Sequence, residues 1–254
     1  MYYIRLHNNQ KLHRYLRITL WMLFAAYIIN LPISWITAQY AADPMAIREN
    51  LGVMLTTSLI SIIVGLIGLV FPILFIIWMY RAYENLQKIN PALPEYALGW
   101  TIGAWFVPIL NFIRPFQIIA EIWNKTQRAM RTDGEQYTHE PQKLLNLWWG
   151  TWMAGVAVGI VGVVIAMGQM FERLGRIRRL QTFDPQEFVQ DSIYTSLIIN
   201  GIAAAFYLAA LAILSQMLKK MAPIKEGLAE RVNRSGFGQW GTGMPQQPQN
   251  WPQQ

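Results

Sequence analysis

The sequence predicts an all-α integral membrane protein: a bundle of four transmembrane helices plus a helical hairpin that prolines break and that is re-entrant or interfacial. Only 14% of the 254 residues are charged, whereas soluble domains usually carry about 25%. Four long runs contain no charged residue, and each reaches the roughly 20 residues that a helix needs to cross a bilayer. A fifth apolar stretch, between the second and third runs, is interrupted by prolines.

The four runs set the predicted order of elements along the chain. The transmembrane helices are expected at about residues 18–40, 51–80, 144–170 and 192–218. Together with the loops between them they form a membrane domain, residues 18–220. Residues 1–17 are predicted to be a basic interfacial lead-in, and residues 221–254 a cytoplasmic, largely disordered tail rich in glycine, proline and glutamine.

The fifth stretch, residues 98–130, is called the broken segment here. A helix that starts near Leu98 is expected to break at about Val107, because Pro108 removes a backbone hydrogen bond and clashes with the preceding turn. A second helix is expected to start at Pro115, since the first helical turn tolerates proline.

Lysine and arginine indicate whether the broken segment crosses the membrane. If it crosses, the 21 basic residues divide into 10 and 11 between the two sides; if it does not, 16 share the side of both termini and 5 lie opposite. Cytoplasmic loops are enriched in lysine and arginine. The count therefore favours four crossings with both termini in the cytoplasm, although it leaves the four arginines of residues 171–191 outside.

Three strings carry a resemblance to a known family: WMYRAYENL (residues 78–86), GWTIGAWFVPILNFIRPFQIIAEIW (residues 99–123) and LLNLWWGTW (residues 144–152). Their order, and the W-F-x-P-x-x-N and L-N-x-W-W-G patterns within them, resemble the bacterial multi-spanning membrane family called domain of unknown function 4328. The resemblance covers roughly residues 15–220 and implies a multi-pass protein of the bacterial plasma (inner) membrane. It implies no activity. The motif positions expected to be structural are Trp100, Trp105, Pro108, Pro115, Trp123, Trp148 and Trp149.

Two groups of polar residues are candidate sites. The first is a binding site for an anion or a lipid headgroup, formed at the break by Asn111, Arg114 and Gln117, because the start of a helix binds anions readily. The alternative is a kinked interfacial helix whose Arg114 reaches water. The second is a polar cluster at the cytoplasmic rim. Its residues are expected either to pair and hold the hairpin against the bundle or to form a polar cleft. Its members are Arg81, Asn85, Glu121 and Asn146.

The sequence argues against several classes of function. The chain has no cysteine, which excludes disulfides and thiolate chemistry. His7, His13 and His139 lie outside the apolar runs and are expected at the surface. We therefore expect no metal site, no cofactor and no catalytic residues. The net charge of +7 is accompanied by no nucleic-acid-binding motif, so no nucleic-acid partner is expected.

The leading hypothesis is a non-enzymatic scaffold, sensor or partner-binding subunit, with a membrane or cytoplasmic protein or anionic lipid as its partner. The alternative is a small transporter or a lipid- or anion-binding membrane protein that uses the break at residues 108–115. An enzyme acting on a lipid or isoprenoid substrate ranks last because no catalytic pair is visible.

Gly155 and Gly159 have the Gly-x-x-x-Gly spacing typical of close helix packing.

Overall fold

The computed structural model describes residues 6–41, 50–131, 141–178 and 185–234, and these form helices joined by turns. The α-helices are α1 (Gln10–Ala41), α2 (Leu51–Ile89), α3 (Trp100–Gly103), α4 (Arg114–Arg131), α5 (Lys143–Arg178) and α6 (Pro185–Arg234), with a 3₁₀ turn at Leu110–Phe112. Four of them, α1, α2, α5 and α6, are long and apolar enough to cross a membrane. The all-α membrane fold with four spans is thus confirmed.

Contacts between helix ends define the direction of each span. His7, just before α1, bonds to Glu84 near the end of α2, and His13 of α1 lies against Leu218 of α6. Trp148, near the start of α5, meets Phe75 of α2. One end of the bundle therefore contains the starts of α1 and α5, the end of α2 and the part of α6 around Leu218. It also contains α4, and we call it the α4 end. The broken segment therefore starts and finishes at the same end of the bundle.

The core is concentrated at the α4 end. Large side chains with less than 2% exposure come from α1, α2, α4, α5 and α6, and they include Leu16, Trp78, Tyr83, Ile122, Trp123, Leu145 and Leu214. One face of α4 supplies four of the buried residues, at positions 118, 119, 122 and 123. This spacing places them on one side of an α-helix. Away from this end, the spans expose leucine, isoleucine and valine along their length, as lipid-facing helices do.

The spans pack in the order α2, α1, α6, α5. Within the described residues, α2 and α5 do not pack along each other. They meet through side chains at the α4 end, where the rings of Phe75 and Trp148 lie 5.9 Å apart. The bundle is consequently open between α2 and α5 over the rest of their length.

Glycine allows the close approach of α5 to α6. A Cβ atom at Gly155 would lie 3.1 Å from the Tyr207 ring, and one at Gly162 would lie 2.7 Å from Cγ2 of Ile199. Gly159 has nothing within 4 Å of such a Cβ. The packing face is therefore formed by Gly155 and Gly162, two helical turns apart, and the expected role of Gly159 is wrong.

Several boundaries differ from the sequence expectation. The first helix of the broken segment ends at Gly103, before the expected break, and the second begins at Arg114, one residue before Pro115. α1 begins at Gln10 and so includes half of the predicted lead-in. α6 continues to Arg234, through residues assigned to the tail; residues 235–254 lie outside the described part.

We predict that Gly162→Ala and Gly155→Ala each lower the free energy of unfolding by about 1–3 kcal/mol, because an added methyl group overpacks the α5–α6 interface. The matched control, Gly159→Ala, should leave it unchanged or slightly raised. Thermal unfolding in detergent, followed by circular dichroism, measures all three. Equal loss of stability in the Gly159 variant would contradict the assigned face.

Candidate functional site

A buried hydrogen bond attaches the broken segment to α2. The Tyr83 hydroxyl donates to Oε2 of Glu121 over 2.7 Å and accepts the backbone N–H of Tyr96 over 3.0 Å. The backbone N–H of Glu95 also donates to Glu121, over 3.3 Å. Tyr83 is fully buried and Glu121 is 7% exposed. A buried carboxylate needs such partners, because burial without them is costly.

Lys125 completes this anchor. Its Nζ lies 3.2 Å from Oε1 of Glu121 and 2.9 Å from Oε1 of Glu95, and it donates to the Leu93 carbonyl over 2.7 Å. The hydrogen bond from Lys125 holds the pKa of Glu95 below its usual value. Three pieces of chain are thereby joined: the end of α2, the loop that follows it, and α4.

Arg114, the first residue of α4, is held by aromatic rings. Its guanidinium carbon lies 4.3 Å from the centre of the Tyr96 ring and 6.0 Å from that of Trp100. A cation over an aromatic face is attracted by the ring quadrupole. The contact positions the guanidinium over the Tyr96 ring.

The predicted headgroup site contains buried polar atoms that lack partners. Oδ1 of Asn111, Nε of Arg114 and Oε1 of Gln117 are all buried, and none has a hydrogen-bond partner within the described part of the chain. Native structures leave few such atoms, and each calls for an explanation such as a ligand or a bound water. The three residues are spaced by three along the 3₁₀ turn and the first turn of α4, which places them on one side of the chain.

The tip of the broken segment is apolar and outward-facing. Phe106 is 74% exposed and Ile109 is 77% exposed, and Val107, Phe112 and Ile113 are exposed as well. In water such a patch would be unfavourable. Behind the tip, the ring of Trp105 points back to the bundle, 6.1 Å from Phe75 and 6.3 Å from Trp152.

The structure separates the four residues expected as a rim cluster. Asn85 makes two hydrogen bonds with the main chain of His7, of 2.8 and 3.0 Å, whereas Glu121 bonds to Tyr83. Asn146 is exposed and Arg81 is half-buried. No hydrogen bond or ion pair joins any two of these four residues. Asn85 and Tyr83 are two positions apart on α2, and so they point to different faces.

Two histidines contribute contacts that the sequence did not predict. His13 is only 5% exposed; its Nε2 lies 2.6 Å from the Leu218 carbonyl oxygen, and its ring stacks near Trp78. Nε2 of His7 lies 2.8 Å from Glu84. The expected surface position is wrong for His13, and His139 lies outside the described residues. The spacing of residues along the chain could not predict these contacts, because the partners of His13 and His7 lie 205 and 77 positions away.

Comparison with protein families places this geometry in context. A family model described as Domain of unknown function (DUF4328) matches residues 38–220, which is most of the chain and includes the broken segment. The chain belongs to the DUF4328 family. Comparison with curated proteins and with solved structures found no match.

Four tryptophans of the strings that carry the family resemblance, Trp105, Trp148, Trp149 and Trp152, form one aromatic cluster at the α4 end. The rings of Trp148 and Trp149 lie 5.5 Å apart, those of Trp149 and Trp152 4.9 Å apart, and Trp105 joins them through Trp152. Trp123 is buried in the core, while Trp100 lies under Arg114. Of the two motif prolines, Pro115 is buried in the first turn of α4 and Pro108 is exposed at the tip.

We predict that Tyr83→Phe lowers the free energy of unfolding by about 1–3 kcal/mol, because it leaves the buried Glu121 carboxylate and the Tyr96 N–H without their hydroxyl partner. Glu172→Gln is the control: it removes an exposed ion pair with Arg176 and should cost under about 1 kcal/mol. Denaturation in detergent compares the two. Equal effects would show that the anchor contributes no more than a surface pair.

Proposed function

We propose that this DUF4328 protein is a non-enzymatic, multi-pass protein of a bacterial inner membrane that binds a phospholipid with an anionic, hydroxyl-bearing headgroup at its broken segment. The observation that carries the proposal is the group of unpartnered buried atoms on Asn111, Arg114 and Gln117. A bound headgroup would supply the missing hydrogen-bond partners of all three side chains at once. Lipid binding is therefore preferred to the scaffold role that the sequence favoured.

The proposal treats the broken segment as re-entrant. The segment leaves and rejoins the bundle at the α4 end, and its tip exposes large apolar side chains such as Phe106 and Ile109. Irregular backbone at membrane depth is tolerated where it is buried in protein or lines a cavity. Trp105, packed against Phe75 and Trp152, supports the tip from the bundle side.

The donor and acceptor pattern indicates the class of headgroup. Arg114 supplies N–H donors and a positive charge, which suit a phosphate oxygen. Asn111 and Gln117 present buried acceptor oxygens, which need donors such as hydroxyl groups. A phosphodiester that carries a glycerol or another polyol satisfies both requirements. A choline headgroup has no hydrogen-bond donor to offer the two amides.

A second basic surface lies at the same end. A groove of about 880 Å³ between α1 and α6 is lined by Arg14 and Arg17 and then by Ile18, Trp21 and Met22. Basic residues above apolar ones match a phospholipid whose phosphate lies at the rim and whose chains run along the helix. Because the positive-inside count favours the cytoplasm for this end, we assign the site to the inner leaflet.

We predict that Arg114→Gln weakens retention of phosphatidylglycerol about tenfold or more, because a hydrogen bond to a charged group contributes about 1.5–3 kcal/mol. Asn111→Leu should weaken it less, and phosphatidylcholine should bind poorly to all variants. Native mass spectrometry of detergent-purified protein, titrated with each lipid, measures the change.

Arg176→Gln is the matched control, since Arg176 is an exposed arginine at the opposite end of α5. It should retain phosphatidylglycerol like the wild type. If Arg114→Gln also retained it unchanged, the headgroup site would be excluded. If both variants lost the lipid equally, the binding would depend on overall charge and the specific site would again be excluded.

A further inference from the structure

The interior of the bundle contains two adjoining cavities that the headgroup site does not use. The first, here called the aromatic chamber, has a volume of about 360 Å³ and is lined by side chains of all four spans and by Trp105 of the broken segment. Phe75, Trp148 and Trp152 form much of its wall. Nε1 of Trp105 is buried and has no hydrogen-bond partner among the described residues.

The second cavity, here called the polar chamber, has a volume of about 500 Å³ and lies between α1, α2 and α6. Asn30, Ser34, Ser61 and Asn200 line it. Asn30 is twenty residues beyond the start of α1 at Gln10, which is about 30 Å along the helix. The chamber is therefore in the half of the bundle away from the α4 end. Polar side chains within a span are costly and usually mark a site.

A pair of tyrosines stands where the chambers meet. Tyr27 and Tyr207 line both cavities, together with Leu23 and Gly68. The two tyrosine rings stack with their centres 5.9 Å apart and their planes inclined by 27°. Because Gly68 has no side chain, it keeps the wall of the junction open on the α2 side.

The lining residues restrict what the chambers accept. Neither lining contains an aspartate, glutamate, lysine, arginine or histidine within the described chain. An ion placed there would lose its hydration without gaining a counter-charge. Hydroxyl and amide groups at one end and aromatic walls at the other suit an uncharged molecule with an apolar body. Both volumes lie in the range of roughly 300–1,000 Å³ typical of small-molecule sites.

We propose that the two chambers form one binding site for an uncharged amphiphile. Its apolar body lies in the aromatic chamber, and its hydroxyl or carbonyl end bonds to the amide groups of Asn30 and Asn200 in the polar chamber. The stacked Tyr27 and Tyr207 rings move apart when the molecule is bound across the junction. Entry is lateral, from the bilayer, through the opening between α2 and α5. This site is separate from the anionic headgroup site at Arg114.

Photolabelling tests the proposal in lipid nanodiscs. The probes are a 1-decanol that carries a diazirine on its chain and the corresponding decanoate, used at pH 9 so that the acid is ionised. The alcohol should label chamber residues such as Tyr27 and Trp152, and excess unlabelled 1-decanol should reduce this labelling at least fivefold. The decanoate should label them at least fivefold less.

Variants locate the site. Gly68→Leu fills the junction and should reduce alcohol labelling of the chambers at least fivefold. Gly159→Leu is the matched control, because a Cβ atom added there has no other atom within 4 Å and Gly159 lines neither chamber, and it should label like the wild type. The wild-type competition tests the proposal even if the Gly68 variant does not fold.

Three results would overturn the proposal: labelling spread evenly over lipid-facing residues such as Leu59, wild-type labelling that 1-decanol does not compete, or equal labelling by the two probes. None of these results bears on phosphatidylglycerol retention at Arg114, so the two sites are tested independently.

Discussion

The buried hydrogen bond between Tyr83 and Glu121 is the interaction on which the rest of the α4 end depends. Irregular backbone cannot lie against lipid unless protein supports it, and the chain between α2 and α5 contains two proline-containing turns. The Tyr83–Glu121–Lys125 network attaches the loop that follows α2 to the end of α2, and it attaches α4 to the same end. With both ends fixed, Arg114 stacks on Tyr96 and Trp100, and Trp105 reaches the aromatic cluster.

The bundle divides into two parts with different packing. The α4 end holds nearly all of the large buried side chains, and a dense core of this kind is rigid. The far half is held by the close glycine contacts of α5 with α6, while α2 stays apart from α5. A rigid end that presents the Arg114 guanidinium and borders the aromatic chamber, next to a looser half that contains the polar chamber, suits a protein that binds molecules from the bilayer. It suits less well a protein whose only role is to hold a partner.

The sequence was sufficient where the determining forces are local. Absence of charge located the four spans, and the prolines located the broken segment. The sequence did not predict contacts in which the partner residue lies far away along the chain. Their shared position at the cytoplasmic rim predicted that Asn85 and Glu121 would lie together. Asn85 instead faces His7 from α2, and Glu121 faces Tyr83 from α4. Gly162, rather than Gly159, packs on α6 because the rotation of α5 is set by its neighbour.

We propose that the broken segment enters and leaves the membrane region on one side, with its tip in lipid. Because the natural chain lacks cysteine, single cysteines at Ala92, Ile109 and Lys143 can be probed in oriented vesicles. We predict that a membrane-impermeant maleimide labels Ala92→Cys and Lys143→Cys from the same, cytoplasmic side, and that Ile109→Cys reacts only with a lipid-soluble maleimide. Labelling of the first two positions from opposite sides, or of Ile109→Cys by the impermeant reagent, would contradict it.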